Sequence, residues 1–149
     1  CLRLVGSEMC IRDRTESERI LSYCRNVQFT GQISEIELAK IVGSAQLVIS
    51  PSLSDSIPLT ILEAVASGTP VVASNIPANR EWVERELPVF LFETENSEDL
   101  AEKILKVIGD DSILKNTVES GPKLVKEKYS WEKEAEKVLK KYQDIVTQK

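Results

Sequence analysis

The sequence predicts an α/β chain, a parallel sheet of short apolar strands alternating with amphipathic helices and followed by further helices. Two observations carry that prediction. From Thr15 onward, apolar runs of strand length alternate with stretches of helical periodicity, the signature of βα units. Beyond Phe92 the strand-like runs stop and apolar residues recur at the spacing of one helix face. A chain of 149 residues fits one domain and is large enough to bury roughly 70 % of its unfolded surface, so the fold calls for neither disulfides nor a structural metal.

In order along the chain, Thr15 to Arg25 reads as the end of a helix and Val27 to Thr30 as a strand closed by Gly31. Ser34 caps a helix reaching about Gly43, and Glu37, three residues on, completes a capping box. Leu47 to Ser50 is a buried strand. A helix from Leu59 to Ser67 is ended by Gly68, which suits a left-handed cap. Pro70 to Ala73 is the next strand, Ser74 to Asn79 a loop, Arg80 to Arg85 a short helix carrying Trp82, and Val89 to Phe92 the last strand.

Leu100, Ile104, Val107 and Ile108 then share one helix face, and Trp131, Ala135, Val138, Leu139, Tyr142, Ile145 and Val146 share another. Both Trp82 and Trp131 read as packing residues, each among apolar neighbours. Between the two faces, Asp111 to Lys128 is interrupted by Gly121-Pro122, which predicts a helix break. No internal repeat, low-complexity tract or interdomain linker is visible.

Composition narrows the function. Net charge is -5, which argues against a nucleic-acid partner because phosphate-backbone binding relies on clustered Lys and Arg. The segment from Pro122 to Lys149 is modestly basic and reads as a solvated helix face, with a weak membrane-surface role as the alternative. No apolar run approaches the roughly 20 residues of a membrane span. Cys1, Cys10 and Cys24 show neither metal-ligand spacing nor an even disulfide framework, and are expected as free thiols. The chain has no histidine, so it cannot supply a Ser-His or Cys-His pair; any proton chemistry falls to carboxylates, the substrate or another domain.

Residues Val5 to Arg14, VGSEMCIRDR, resemble a translated sequencing adapter. The competing reading makes Leu2 to Val5 a genuine strand with Gly6 opening a turn. Residues 1–14 are therefore set apart as an artefact or irregular N-terminus, no site residue is placed before Thr15, and residues 15–149 are taken as one domain whose gene is expected to continue upstream.

Chemistry concentrates in Pro51 to Ser74, PSLSDSIPLTILEAVASGTPVVAS, where Asp55 in a loop and Glu63 on a helix have seven residues between them. Ser56 to Thr60 bring backbone N–H groups to a helix N-terminus, where unsatisfied donors and the helix dipole favour an anion such as phosphate. That arrangement suits a nucleotide diphosphate, with Glu63 accepting from ribose hydroxyls and Asp55 reaching what hangs off the diphosphate. The bland readings are a solvated carboxylate for Glu63 and an Asx turn for Asp55. Ser52, Ser54 and Ser56 read as turn formers.

From Gln28 to the C-terminus the chain resembles the C-terminal, nucleotide-sugar-binding half of GT-B glycosyltransferases of the retaining group 1, or family 4, type. The resemblance rests on VQFTGQIS with its following helix, LVISPS, SDSIPLTILEAVASGTPVVAS and the closing YSWEKEAEKVLKKY. The fold it implies is a Rossmann-like doubly wound parallel sheet with C-terminal helices. The family's hallmark is a pair of glutamates enclosing a Gly-Phe-Gly-Leu loop; here the acids are Asp55 and Glu63 and the loop is Ser56-Ile57-Pro58-Leu59. Aspartate is one methylene shorter and Pro58 removes a backbone donor, departures that touch donor-sugar contacts more than nucleotide contacts.

By that resemblance Glu63 binds the ribose and the N–H groups of Leu59 and Thr60 bind the diphosphate, a charge-assisted hydrogen bond of this kind contributing about 1.5 to 3 kcal/mol. Asp55 contacts the hexose near its anomeric carbon as the catalytic-site residue, and Thr30, Gly31 and Gln32 form the nucleobase loop at a strand's C-terminal end. The implied reaction is retaining, metal-independent transfer of a hexose from a UDP-, GDP- or ADP-sugar to a glycan or lipid acceptor, with no separate cofactor. The family also uses an upstream Arg and Lys on the leaving group and an N-terminal acceptor domain, against which the helix at Trp131 packs. Neither lies in this sequence, so the chain alone is expected to bind weakly and not turn over. A cytoplasmic location follows, with peripheral association at the inner membrane face as a further expectation. A non-catalytic nucleotide-sugar-binding module and a nucleotide-sugar epimerase of the same fold remain open alternatives.

Overall fold

The computed structural model describes residues 2–4 and 27–147, with side chains from Thr30 onward. The expected helix at Thr15 to Arg25, the whole adapter-like stretch from Val5 to Arg14, and Cys1, Cys10 and Cys24 lie outside the described residues. Two compact units emerge, Cys1–Ile41 and Val42–Lys149, and each is described by itself.

In the first unit β1 (Leu2–Leu4) and β2 (Val27–Phe29) pair in parallel, Leu2 opposite Val27 and Leu4 opposite Phe29. The chain then passes through Gly31, whose φ of +63° is cheap only for glycine, into α1 (Glu35–Ser44). The capping box forms as its spacing requires. The Ser34 N–H donates to Glu37 Oε2 at 3.0 Å and the Glu37 N–H donates to Ser34 Oγ at 3.3 Å. Hydrogen bonding from the Ser34 hydroxyl, reinforced by the Ser34 N–H, holds the Glu37 carboxyl below its ordinary value.

The second unit is built on a parallel sheet of order β3 (Val48–Ser50), β4 (Val71–Ser74), β5 (Val89–Phe92). Registers run Val48 to Val71 and Ser50 to Ala73 on one side of β4, and Val71 to Val89 and Ser74 to Phe92 on the other. Parallel neighbours need crossovers. These are α2 (Leu59–Ala66) between β3 and β4 and α3 (Pro77–Glu84) between β4 and β5. Central β4 is buried along its whole length, as a strand covered on both faces must be. On one face Val72 packs with Phe92 and Val107, surrounded by Leu47, Phe90, Leu100, Ile113 and Leu114.

Several elements differ from the sequence reading. β3 is half-buried rather than buried, because it forms an edge of the three-stranded sheet. α3 begins at Pro77 rather than Arg80, since proline at the first helical position already has helical φ and its missing N–H is no loss there. The helices α4 (Ser97–Ile108) and α5 (Asp111–Tyr129) carry caps the periodicity does not show. Asn96 Oδ1 accepts from the N–H groups of Glu98 and Asp99 at 3.1 and 3.0 Å, and Asp110 Oδ1 accepts from those of Ser112 and Ile113 at 2.9 and 3.3 Å.

The expected break at Gly121-Pro122 does not occur: α5 runs through Pro122. Proline costs a helix interior about 3 kcal/mol by removing a donor and crowding the preceding turn, yet this stretch is pinned to α2 by tertiary contact. A Cβ on Gly121 would sit 2.8 Å from the Val65 carbonyl oxygen, and one on Gly68, itself at φ +76°, would sit 3.3 Å from the Val118 Cα. Gly121 permits the close approach that offsets the proline.

The last helix, α6 (Trp131–Thr147), has no buried residue. Within this chain Trp131 is not covered: it is 83 % exposed, and Val138, Leu139, Tyr142, Ile145 and Val146 are exposed beside it. Periodicity reveals that a helix has an apolar face, but not what covers that face. Trp82 behaves as expected, buried edge-on against Tyr129 with ring centroids 5.6 Å apart. Among the described residues no helix is long and apolar enough to cross a membrane.

Candidate functional site

The C-terminal ends of parallel strands are where open α/β sheets take ligands, and the chain leaves β3 there into the loop Pro51 to Pro58. The parallel ladder ends at the Ser50–Ala73 pair. One step further out, the Ser74 hydroxyl donates to the Ser52 carbonyl at 2.5 Å. Beyond Ser52 the loop turns outward, and Leu53, Asp55 and Ile57 are exposed. Pro58 returns the chain to the protein surface as the buried N-cap of α2.

The start of α2 has no side-chain cap, with Pro58 at φ -75° and ψ 84°. Its first donors are unevenly used. The Leu59 N–H donates to the Ile57 carbonyl at 2.9 Å and that of Ile61 to Pro58 at 3.1 Å. Among the described residues no acceptor lies on the Thr60 N–H. Of the two donors expected to face a diphosphate, Leu59 is therefore engaged within the loop and Thr60 is open. The positive end of the helix dipole adds to that donor.

Both carboxylates are exposed, Asp55 in the loop and Glu63 one turn into α2. Neither has a hydrogen-bond or ion-pair partner among the described residues, so the Asx turn weighed for Asp55 is not what this loop does. Glu63 also contributes its carbonyl to the helix end, accepting from the Ser67 N–H at 3.0 Å and the Ser67 hydroxyl at 2.8 Å. Two free acceptors and one free donor thus lie on one short stretch of chain. The nucleobase-loop candidates belong to the other unit. There Thr30 is half-buried with its hydroxyl donating to the Gly31 carbonyl at 3.2 Å, and Gln32 is exposed.

Sequence reasoning missed the neighbour of this loop. Ser56, Ile57 and Pro58 form one wall of a cleft of about 120 Å³, and Ala78, Glu81 and Trp82 of α3 with Arg85 at its C-cap form the other. The Arg85 guanidinium lies 5.5 Å from the Trp82 ring centroid and is paired with Glu81. Arg at three residues past Trp on a helix is the only sequence signal, and it is weak. A second, larger hollow of about 460 Å³ is lined by Arg85, Glu127, Lys128, Tyr129, Lys133 and Lys137. Its cations are already matched to Glu81, Glu86, Glu136 and Glu134. Among the described residues no group of three or more His, Cys, Asp or Glu is placed to hold a metal ion.

At the strand ends of this parallel α/β sheet the chain thus brings together a polar loop, an uncapped helix start and an unpaired carboxylate one turn in. The chain belongs to the group 1 glycosyl transferases, whose family description matches residues 1–110. It is 26% identical over 145 residues to the phosphatidyl-myo-inositol mannosyltransferase of Mycobacterium leprae, a match covering 94% of this chain and 38% of the relative.

Among solved structures it resembles the sucrose-phosphate synthase of Thermosynechococcus elongatus, with a TM-score of 0.83 at 26% identity over 99% of this chain and 39% of that one. It also resembles TarM of S. aureus, solved in complex with fondaparinux, alpha-GlcNAc-glycerol and UDP, with a TM-score of 0.74 at 26% identity over 93% of this chain and 28% of that one. The chain spans 30% to 38% of the length of the first curated relatives it matches. The GT-B resemblance drawn from the motifs is borne out.

Proposed function

We propose that this chain is the nucleotide-sugar-binding part of a longer, retaining, metal-independent glycosyltransferase that moves a hexose from a UDP-, GDP- or ADP-sugar to a glycan or lipid acceptor. The observation that carries the reading is the pairing, on α2, of an open Thr60 N–H at an uncapped helix start with an unpartnered Glu63 carboxylate one turn further on. The first suits a diphosphate oxygen and the second the ribose hydroxyls. Thr30, Gly31 and Gln32 take the nucleobase. Asp55, unpartnered and exposed, contacts hydroxyls of the hexose.

As the anomeric C–O bond breaks, negative charge grows on the leaving diphosphate. Donors fixed at a helix start stabilise that charge without having to reorganise. This chain supplies the Thr60 donor and the dipole of α2, and the remaining neutralising charge and the acceptor site are assigned to the rest of the longer enzyme. The apolar stripe of α6 is assigned to packing on that remainder. The location is cytoplasmic, with peripheral association at the inner membrane face. The UDP held by the TarM structure supports a nucleoside diphosphate ligand, and the mannosyltransferase relative supports hexose transfer.

Titration of UDP, GDP and ADP into the chain tests the reading. One of the three should bind, weakly, and Glu63→Ala should reduce that affinity roughly tenfold or more, the value of a charge-assisted hydrogen bond. Equal affinity in the variant would remove Glu63 from the site. A second reading, a nucleotide-sugar-binding module without catalysis, is favoured by the Leu59 N–H being tied up by Ile57 and by Pro58 standing at the N-cap. Product analysis of the longer protein with donor and acceptor separates the two, since a module forms no glycosidic bond.

A further inference from the structure

The network behind the motif loop has a use that neither ligand contact nor core packing explains. Ser74, the last residue of β4, is fully buried, and its hydroxyl reaches the Ser52 carbonyl at 2.5 Å and lies 3.5 Å from that of Ser50. A hydroxyl has one proton to donate, and the shorter contact receives it. Asn79 on α3, also fully buried, donates through Nδ2 to the Ser74 carbonyl at 2.8 Å and lies 3.4 Å from its hydroxyl.

These side chains take over where the backbone ladder stops. On the β3 side the last parallel pair is Ser50 with Ala73, so the carbonyl of Ser52 has no backbone donor opposite it. A loop carbonyl left unpaired next to a buried strand end would give up its water without gaining a donor in return. Ser74 satisfies it and thereby fixes the direction in which the chain departs, three residues before Asp55. Thr69, the hydroxyl near the opposite end of β4, donates to the Val42 carbonyl at 2.8 Å, a tie between helix end and turn that lies away from the motif loop.

We propose that Ser74 is a positioning residue for the candidate site, holding the Asp55 loop in register through the Ser52 carbonyl, with Asn79 orienting Ser74 from behind. The functional part of this assignment rests on the nucleotide-sugar reading above; the positioning part does not. Ser74 itself touches no ligand. Its effect passes through the loop backbone, so it shows in loop order before it shows in global stability.

Backbone 15N order parameters of residues 53–57 in the 149-residue chain, with UDP, GDP and ADP titrations alongside, test the assignment. In Ser74→Ala they should fall from values near about 0.85 toward about 0.6, while the Asn75 N–H, bonded to Phe92 on the β5 side, stays protected from exchange and reports an intact sheet. Ser74→Thr, which keeps the hydroxyl, should restore loop order. Where Ser74→Ala does not fold, Ser74→Cys fills the same space with a weak donor and is read in its place. Unchanged loop order on loss of the hydroxyl overturns the proposal, as does loosening by Ser74→Thr equal to that by Ser74→Ala. If the native chain binds none of the three nucleotides while the loop still loosens in Ser74→Ala, the nucleotide reading falls and the positioning role stands.

Discussion

The two longest helices among the described residues, α5 and α6, follow one another with only Ser130 between them, and both have an apolar face, yet the chain treats them in opposite ways. α5 lies against α2 at a distance set by Gly121 and Gly68, buries Thr117, and tolerates a proline within it. α6 buries nothing and leaves Trp131, Leu139, Tyr142 and Val146 in solvent. In α5 local propensity is overruled by packing, whereas in α6 propensity and surface ion pairs act without packing. Amphipathicity alone does not distinguish a helix that completes this core from one whose apolar face awaits another surface.

Gly121→Ala should have the largest effect on that contrast. In an exposed helix this change is favourable by as much as about 1 kcal/mol. Here the new Cβ would meet the backbone carbonyl of Val65 at 2.8 Å, and backbone cannot move aside cheaply. Thermal and denaturant unfolding should show a loss of about 1 to 3 kcal/mol, the usual cost of overpacking. A stabilised variant would show that the α2–α5 contact is looser than the structure has it.

Next comes Ile61→Val, in the same helix α2 as Val65. Ile61 is fully buried on α2, and losing one methyl group should cost about 0.5 to 1.5 kcal/mol. The same measurement on α6 should give almost nothing. Val138→Ser and Val146→Ser, at residues 52% and 73% exposed, should leave stability within about 0.5 kcal/mol of the parent chain. A large loss there would mean that the stripe is already covered, by a second copy of the chain.

The acid limb gives a finer contrast. Hydrogen bonds from the Ser112 side chain, with the N–H groups of Ile113 and Ser112, hold the Asp110 carboxyl below its ordinary value of 3.8. A carboxyl depressed in the folded state contributes stability that is present above that ordinary value and is lost as pH falls through the lower, folded one. Asp110→Asn keeps a capping oxygen but removes the charge. Its melting temperature should lie below the parent's at neutral pH and fall less steeply below pH 3.8, so that the two curves converge in acid. Coincident acid limbs would mean that the cap of α5 does not feel the charge.

The same contrast explains what could be read from the sequence. Local signals were legible where they act within a few residues: Ser34 with Glu37, Gly68 at the end of α2, and the strand-like runs at β4 and β5. Asn96 and Asp110 were equally local and stand one residue before their helices, but the periodicity draws the eye past them. Gly121-Pro122 misleads because its meaning depends on Val65 in another helix, and the Trp131 stripe is legible as apolar although its partner surface is not written in its own helix. The candidate site divides in the same way. Asp55, Glu63 and Thr60 follow from spacing, whereas the Ser74–Ser52 bond joins residues twenty-two apart and has no sequence pattern.

In the proposed function the start of α2 receives the diphosphate and Glu63 the ribose. Amide chemical shifts of the 15N-labelled chain, followed as the preferred nucleoside diphosphate is added and again with the matching nucleoside, address it directly. Thr60 should shift most strongly with the diphosphate and little with the nucleoside, and Glu63→Ala should weaken both titrations. Shifts that leave Thr60 and Glu63 unmoved while saturating elsewhere would place the ligand at another site and contradict the account.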